Sequence, residues 1–314
     1  MTNSKEIKKR IKSITNTKKI TKAMEMVAAA KMRRSIEAVL KTRTYANLAW
    51  ETLLNIANSL KKQGSLNHPL IEKRNKNKKE LIILISSNRG LCGGFNSAII
   101  SKAIKSIKKY EADSEFIIIG KKGQSVSRRY GYNIVAEYEK PDTNPKIVDI
   151  QAISKQIIDD YKSEKYDKIF LAYTDFVSPA SQVSRIRQIL PIDLEAEDEY
   201  LGAVGKSEKL KTNKEFIEAK EEKHMMGSHL FKYEPSEKEV LDSILPRLIE
   251  VQLFQALLES NASEHSARMA AMHQATNAAN DLVDELTLYY NKARQAAITA
   301  EIAEISAGAA TLNS

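Results

Sequence analysis

Hydrophobic positions fall into three regimes along the chain. Near the N-terminus Ile7, Ile11, Ile14, Ile20, Met24 and Val27 follow one another at mostly three- and four-residue steps, and Trp50, Leu53, Ala57 and Leu60 resume the stripe. That spacing predicts one apolar face on a long helix. At 1.5 Å per residue, about sixty residues reach ~90 Å, about three times the width of a small domain, so such a helix needs a partner along its length. The other end of the chain supplies one. Leu248, Val251, Leu258, Met269, Met272, Ala275, Ala279, Leu282, Leu286, Tyr290, Ala293, Ala297 and Ala300 lie near one helical face, with alanines that allow close backbone approach. An antiparallel helix pair is the predicted arrangement.

Between these segments the pattern changes. Leu81 to Ile85, Phe116 to Ile119 and Ile169 to Tyr173 are continuous apolar runs of strand length, as expected for strands covered on both faces; Ile134 to Tyr138 is a weaker one. Helical stretches at about 96–110, 121–130 and 147–164 intervene. Alternating strands and helices predict a Rossmann-like, mostly parallel α/β domain. Val183 to Ile192 reads as an edge strand stopped by Pro191. Lys73 to Lys79 reads as a solvated linker, and Glu195 to Tyr233 as a polar, charge-rich excursion.

Helix breakers sharpen these boundaries. Residues 1–63 and 247–307 contain no glycine or proline, whereas nine of the 11 glycines and six of the 7 prolines lie between positions 69 and 235. Pro246 is expected to start or kink the last helix rather than sit inside it. The predicted organisation is a coiled-coil helix in 1–72, a central α/β domain in 78–235 that includes an excursion at 195–230, and a second coiled-coil helix in 236–314.

Charge adds a second asymmetry. The chain carries a formal net charge of +9, and residues 1–34 account for all of it, with eleven Lys or Arg against Glu6 and Glu25. Residues 247–307 hold eight acidic and four basic residues, so the two helices are opposite in sign. The basic helix admits a solvated face or contact with an anionic partner. Residues 1–44 contain no aromatic side chain to stack on bases, which counts against single-stranded nucleic acid but not against duplex phosphates. A lone Cys92 suits a reducing compartment, and no apolar run approaches the ~20 residues of a membrane span.

Candidate chemistry is sparse. Arg89 to Asn96 (RGLCGGFN) is a glycine-rich turn between strand and helix, but its spacing is neither dinucleotide fingerprint nor phosphate loop, so a packing role is favoured. Gly120-Lys121-Lys122-Gly123 is a weaker instance. His224 with His229, and His265 with His273, lack the spacing and the Cys or carboxylate company of metal ligands. The expectation is no catalytic centre, no metal, no cofactor and no direct small-molecule substrate.

Residues 14–34 (ITNTKKITKAMEMVAAAKMRR, preceded by Ser13) resemble the N-terminal helix signature of the gamma subunit of F-type ATP synthases. Ser87 to Asn96, Tyr233 to Pro235, Ala262 to Met272 and Tyr290 to Ala310 resemble that family's other hallmark segments in order. Asn88 stands where the family commonly has Asp, 195–229 is longer than in many relatives, and the paired cysteines of the redox-switched chloroplast form have no counterpart. The resemblance implies a non-catalytic rotor shaft inside a hexamer of alpha and beta subunits, with the α/β domain resting on the membrane ring of c subunits beside epsilon. It implies ring contacts at Lys22, Met24 and Arg268, and hydrogen bonds from Arg294 and Gln295 to a beta-subunit loop. It also implies residence at the cytoplasmic face of a bacterial inner membrane. A basic coiled-coil nucleic-acid binder and an α/β nucleotide-binding enzyme are the competing readings of the residues.

Overall fold

The computed structural model describes residues 4–62, 68–72, 74, 79–107, 113–142, 144–194 and 233–312. Most of the expected linker, the excursion up to residue 232, His224 and His229 lie outside the described residues. The chain divides into two compact units, one of Met1–Ala30 with Arg268–Ser314, the other of Lys31–Ala267.

Both units are built on two long helices, α1 (Ser4–Lys62) and α5 (Glu237–Leu312). The larger unit adds β1 (Lys79–Ile85), α2 (Phe95–Ile107), β2 (Asp113–Ile119), α3 (Ser125–Tyr130), β3 (Asn133–Tyr138), α4 (Val148–Lys162), β4 (Lys168–Ser178) and β5 (Ser181–Leu190). The expected strands and intervening helices are present, the stretch at 121–130 being a short 3₁₀ turn (Lys121–Gln124) followed by α3.

Strand order is β3-β2-β1-β4-β5. The first four are mutually parallel, and β5 closes the edge as an antiparallel hairpin on β4. The central strand explains why it reads as one apolar run: Leu81, Ile83 and Ile85 face one core, Ile82 and Leu84 the other. The second core is covered by α2 through Ile99, Ile100, Ala103 and Ile104. The first is covered by α4 together with Trp50, Leu53, Ile56 and Leu60 of α1 and Leu241, Leu245, Leu248 and Leu253 of α5. The stretches of α1 and α5 that lie in the larger unit are therefore part of the α/β core.

Two glycines belong to this packing. Gly120 has φ of 102°, and a Cβ there would lie 2.2 Å from the Ser86 carbonyl oxygen; one on Gly123 would lie 2.4 Å from Ile118. The GKKG turn is thus a close approach between the ends of β1 and β2.

Pro246 departs from the expectation, since it lies inside α5, nine residues past its start. The lost N–H bond and ring clash act locally. They are opposed by Leu245, Leu248 and Ile249, all at 1% exposure or less, which hold both flanking turns on the core.

Candidate functional site

In the smaller unit the two helices pair antiparallel. The Thr21 and Thr276 hydroxyls lie 2.8 Å apart, and four residues further along α1 the Glu25 carboxylate is 3.2 Å from His273 Nδ1, three residues earlier on α5. The covered α1 positions follow a heptad, Ile7, Ile14, Thr21 and Ala28 with Ile11, Lys18 and Glu25. This corrects part of the predicted stripe, because Ile20 and Val27 are 60% and 58% exposed. A seam repeating every seven residues accepts Thr21 and Glu25 where a purely hydrophobic reading steps over them to Ile20 and Val27. On α5 the seam runs through Met272, Thr276, Ala279, Val283, Leu286 and Tyr290, while Leu282, Ala297 and Ala300 point outward.

This register gives the turns of α5 beyond Ala293 no facing turn of α1 among the described residues. α1 begins at Ser4, seventeen residues before Thr21, and seventeen residues after Thr276 is Ala293. From Arg294 onward α5 runs past the first described turn of α1, and residues 294–306 are all exposed. Ile298, Ile302 and Ile305, at four- and three-residue steps, form an uncovered apolar stripe. Arg294 and Gln295 stand at its base, both exposed. Lys22 is exposed and pairs with Glu25 at 3.0 Å; Met24 and Arg268 are half-buried.

In the larger unit the turn after β3 is tied to both long helices. Asp142 places one carboxylate oxygen 2.5 Å from Lys31 Nζ of α1 and the other 3.0 Å from His265 Nε2 of α5. These two contacts, His265 first, hold the Asp142 carboxyl well below the usual carboxylate range despite its partial burial. Lys140 forms a buried ion pair with Glu264, the two side chains being 1% and 4% exposed. Lys140 Nζ also lies 5.6 Å from the centre of the Phe95 ring. The intervening Pro141 carbonyl accepts a 2.9 Å bond from Asn261 Nδ2.

Asn88 anchors the same turn from beneath. Its Nδ2 donates to the Lys140 carbonyl at 2.8 Å and its Oδ1 accepts from the Lys140 N–H at 3.2 Å. A carboxylate could accept the second bond but not donate the first. Within the glycine-rich segment Asn96 Oδ1 accepts from Ser87 N–H, its Nδ2 donates to Ser87 Oγ, and Ser87 Oγ donates to the Arg89 carbonyl. Its polar groups hold the turn together, which agrees with a packing role.

Asp142, Glu264 and His265 place three donor atoms within 4.8 Å of one another, a spacing a cation would accept. His265 therefore does have carboxylate company, from a turn far upstream that spacing along the sequence could not reveal. Each carboxylate, however, already faces a lysine ammonium, so the cluster is a balanced ionic joint between turn and helices.

The chain thus joins two long helices to an α/β domain through a shared apolar core and an ionic joint. Comparison with known proteins identifies its family. A family model described as ATP synthase matches residues 3–312. ATP synthase gamma chains from Coxiella burnetii (strain RSA 493 / Nine Mile phase I) and Alkaliphilus metalliredigens are 39% and 41% identical, over 99% and 98% of this chain and 100% and 98% of their own. The fold is similar to a chain of the Tetrahymena thermophila mitochondrial ATP synthase central stalk and c-ring, with TM-score 0.58, 24% identity, and coverage of 82% of this chain and 99% of that one. It is also similar to a chain of the Euglena gracilis mitochondrial ATP synthase in rotational state 3, with TM-score 0.62, 15% identity, and coverage of 98% and 94%. The chain belongs to the gamma-chain family of F-type ATP synthases, the non-catalytic central shaft of a membrane-associated complex. No helix among the described residues is long and apolar enough to cross a membrane.

Proposed function

We propose that this chain turns as a shaft inside a hexamer of alpha and beta subunits, with its α/β domain seated on a ring of c subunits beside epsilon at the cytoplasmic face of a bacterial inner membrane. Rotation of an asymmetric surface presents different contacts to each beta subunit in turn, and only contacts that differ between beta conformations can shift their populations. Proton flow drives the cycle toward ATP synthesis, and hydrolysis drives it in reverse. The division into 1–72, 78–235 and 236–314 then separates the two shaft helices from the domain that receives the torque.

The observation that carries this reading is the exposed apolar stripe of Ile298, Ile302 and Ile305 on the last described turns of α5. Small and apolar side chains suit a tip that turns in its bearing without a fixed partner. Arg294 and Gln295, exposed at the base of that stripe, are assigned to a beta-subunit loop in one rotary position, and Lys22, Met24 and Arg268 to contacts with the surrounding ring. Coexpression with the alpha and beta subunits tests the assembly; copurification as one complex supports it, and a chain that instead elutes alone or on duplex DNA contradicts it. Replacing Arg294 and Gln295 together by Ala is expected to lower ATP synthesis more than assembly. Unchanged synthesis in intact complex removes that assignment.

A further inference from the structure

We infer that the turn Lys140–Asp142 is the joint through which the α/β domain drives the long helices, with Lys140, Asp142, Glu264 and His265 as positioning residues for energy coupling. The inference rests on the rotor reading and adds to it the place where torque crosses. Domain and helices share two kinds of contact. The apolar cluster holds them together, but hydrophobic attraction has no direction and resists sliding weakly. Ion pairs and hydrogen bonds have defined lengths and angles, and so oppose a change of rotational position.

Four of those directional contacts lie on three consecutive residues, beside bonds from Ser263 and Ser266 of α5 to the Thr174 and Pro179 carbonyls of the β4–β5 hairpin. Lys140 holds Glu264, the Pro141 carbonyl holds Asn261, and Asp142 holds His265, so the turn grips one face of α5 at positions 261, 264 and 265. The same Asp142 carboxylate grips α1 through Lys31, which makes it a single bridge between both helices and the domain. The turn cannot yield easily at its own base, because both backbone groups of Lys140 are fixed by Asn88. Burial of the Lys140–Glu264 pair keeps water from replacing either partner during loading.

The test uses the whole complex in sealed vesicles, scoring ATP hydrolysis and proton pumping per assembled particle. Lys140→Gln and Asp142→Asn are expected to leave hydrolysis by the assembled complex within about twofold while lowering protons pumped per ATP by at least about twofold, the low end of what coupling mutations do. Lys140→Arg, which keeps the charge, is expected to retain the ratio. A purely structural role instead reduces assembly and leaves the ratio of the remaining complexes unchanged, and that result overturns the inference. Should Lys140→Gln fail to assemble, the half-exposed Asp142→Asn decides alone, and its unchanged ratio is equally fatal. Failure of the rotor reading is distinguishable, because then the unaltered chain does not couple pumping to hydrolysis at all.

Discussion

Replacing Lys140 by Met leaves the Glu264 carboxylate in a site where it is 4% exposed, without the ammonium that offsets its charge. Removing one member of a buried pair costs about 3–5 kcal/mol, because the surviving ion has lost its water and its partner together. Loss of the Lys140 contact with the Phe95 ring, at 5.6 Å, adds up to about 1 kcal/mol. Glu264 makes further interactions, so the lower half of that range applies. For a unit of this size 1 kcal/mol shifts Tm by roughly 2–4 °C, which places the fall on the order of 10 °C. Thermal and denaturant unfolding of the full chain measure it, the latter as a lower midpoint with unchanged slope. Lys140→Met combined with Glu264→Leu should recover most of the loss, since an apolar pair of similar volume commonly matches or exceeds a buried ion pair in stability. A single-variant loss under about 1 kcal/mol, or a double-mutant coupling under ~0.5 kcal/mol, refutes the reasoning.

Other outcomes follow from the same geometry. Because Asp142 titrates below its unfolded value, it contributes stability above about pH 4 that is lost as pH falls through the folded value; Asp142→Asn should therefore flatten the acid side of the stability profile, and an unaltered profile counts against the joint. Glu80 has the opposite sign. It is 2% exposed, burial raises its pKa, and Lys168 offsets this in part, so Glu80→Gln should stabilise the chain at neutral pH with a gain that disappears near pH 4, as unfolding at both pH values will show. Gly120→Ala combines a left-handed φ with a 2.2 Å approach to Ser86 O, and should cost several kcal/mol or prevent soluble expression; wild-type stability would contradict the close approach.

Much of this architecture is legible in the sequence, for identifiable reasons. β1, β2 and β4 stand out because a parallel sheet covered on both faces demands unbroken apolar runs such as Leu81 to Ile85. The helix ends are legible because glycine and proline are excluded from such long helices, with Pro246 the exception that packing at Leu245 and Leu248 overrides. The seam was only partly readable: a heptad that accepts Thr21, Lys18 and Glu25 looks polar, and this hid the true register behind the exposed Ile20 and Val27. The ionic joint was not readable at all. Glu264 and His265 sit in a recognisable segment, but their partners Lys140, Asp142 and Lys31 are brought to them only by the fold.

Rotation itself is the most direct measurement of the central claim. Cys92, the chain's one cysteine, is buried, so Val148→Cys at the exposed start of α4, 64% accessible, offers a specific attachment point on the α/β domain for a bead or gold particle. With the alpha–beta hexamer fixed to a surface and ATP supplied, the particle is predicted to turn in one direction in discrete steps whose rate follows ATP concentration. A complex that hydrolyses ATP while the attached particle shows only undirected rotational diffusion would contradict the account.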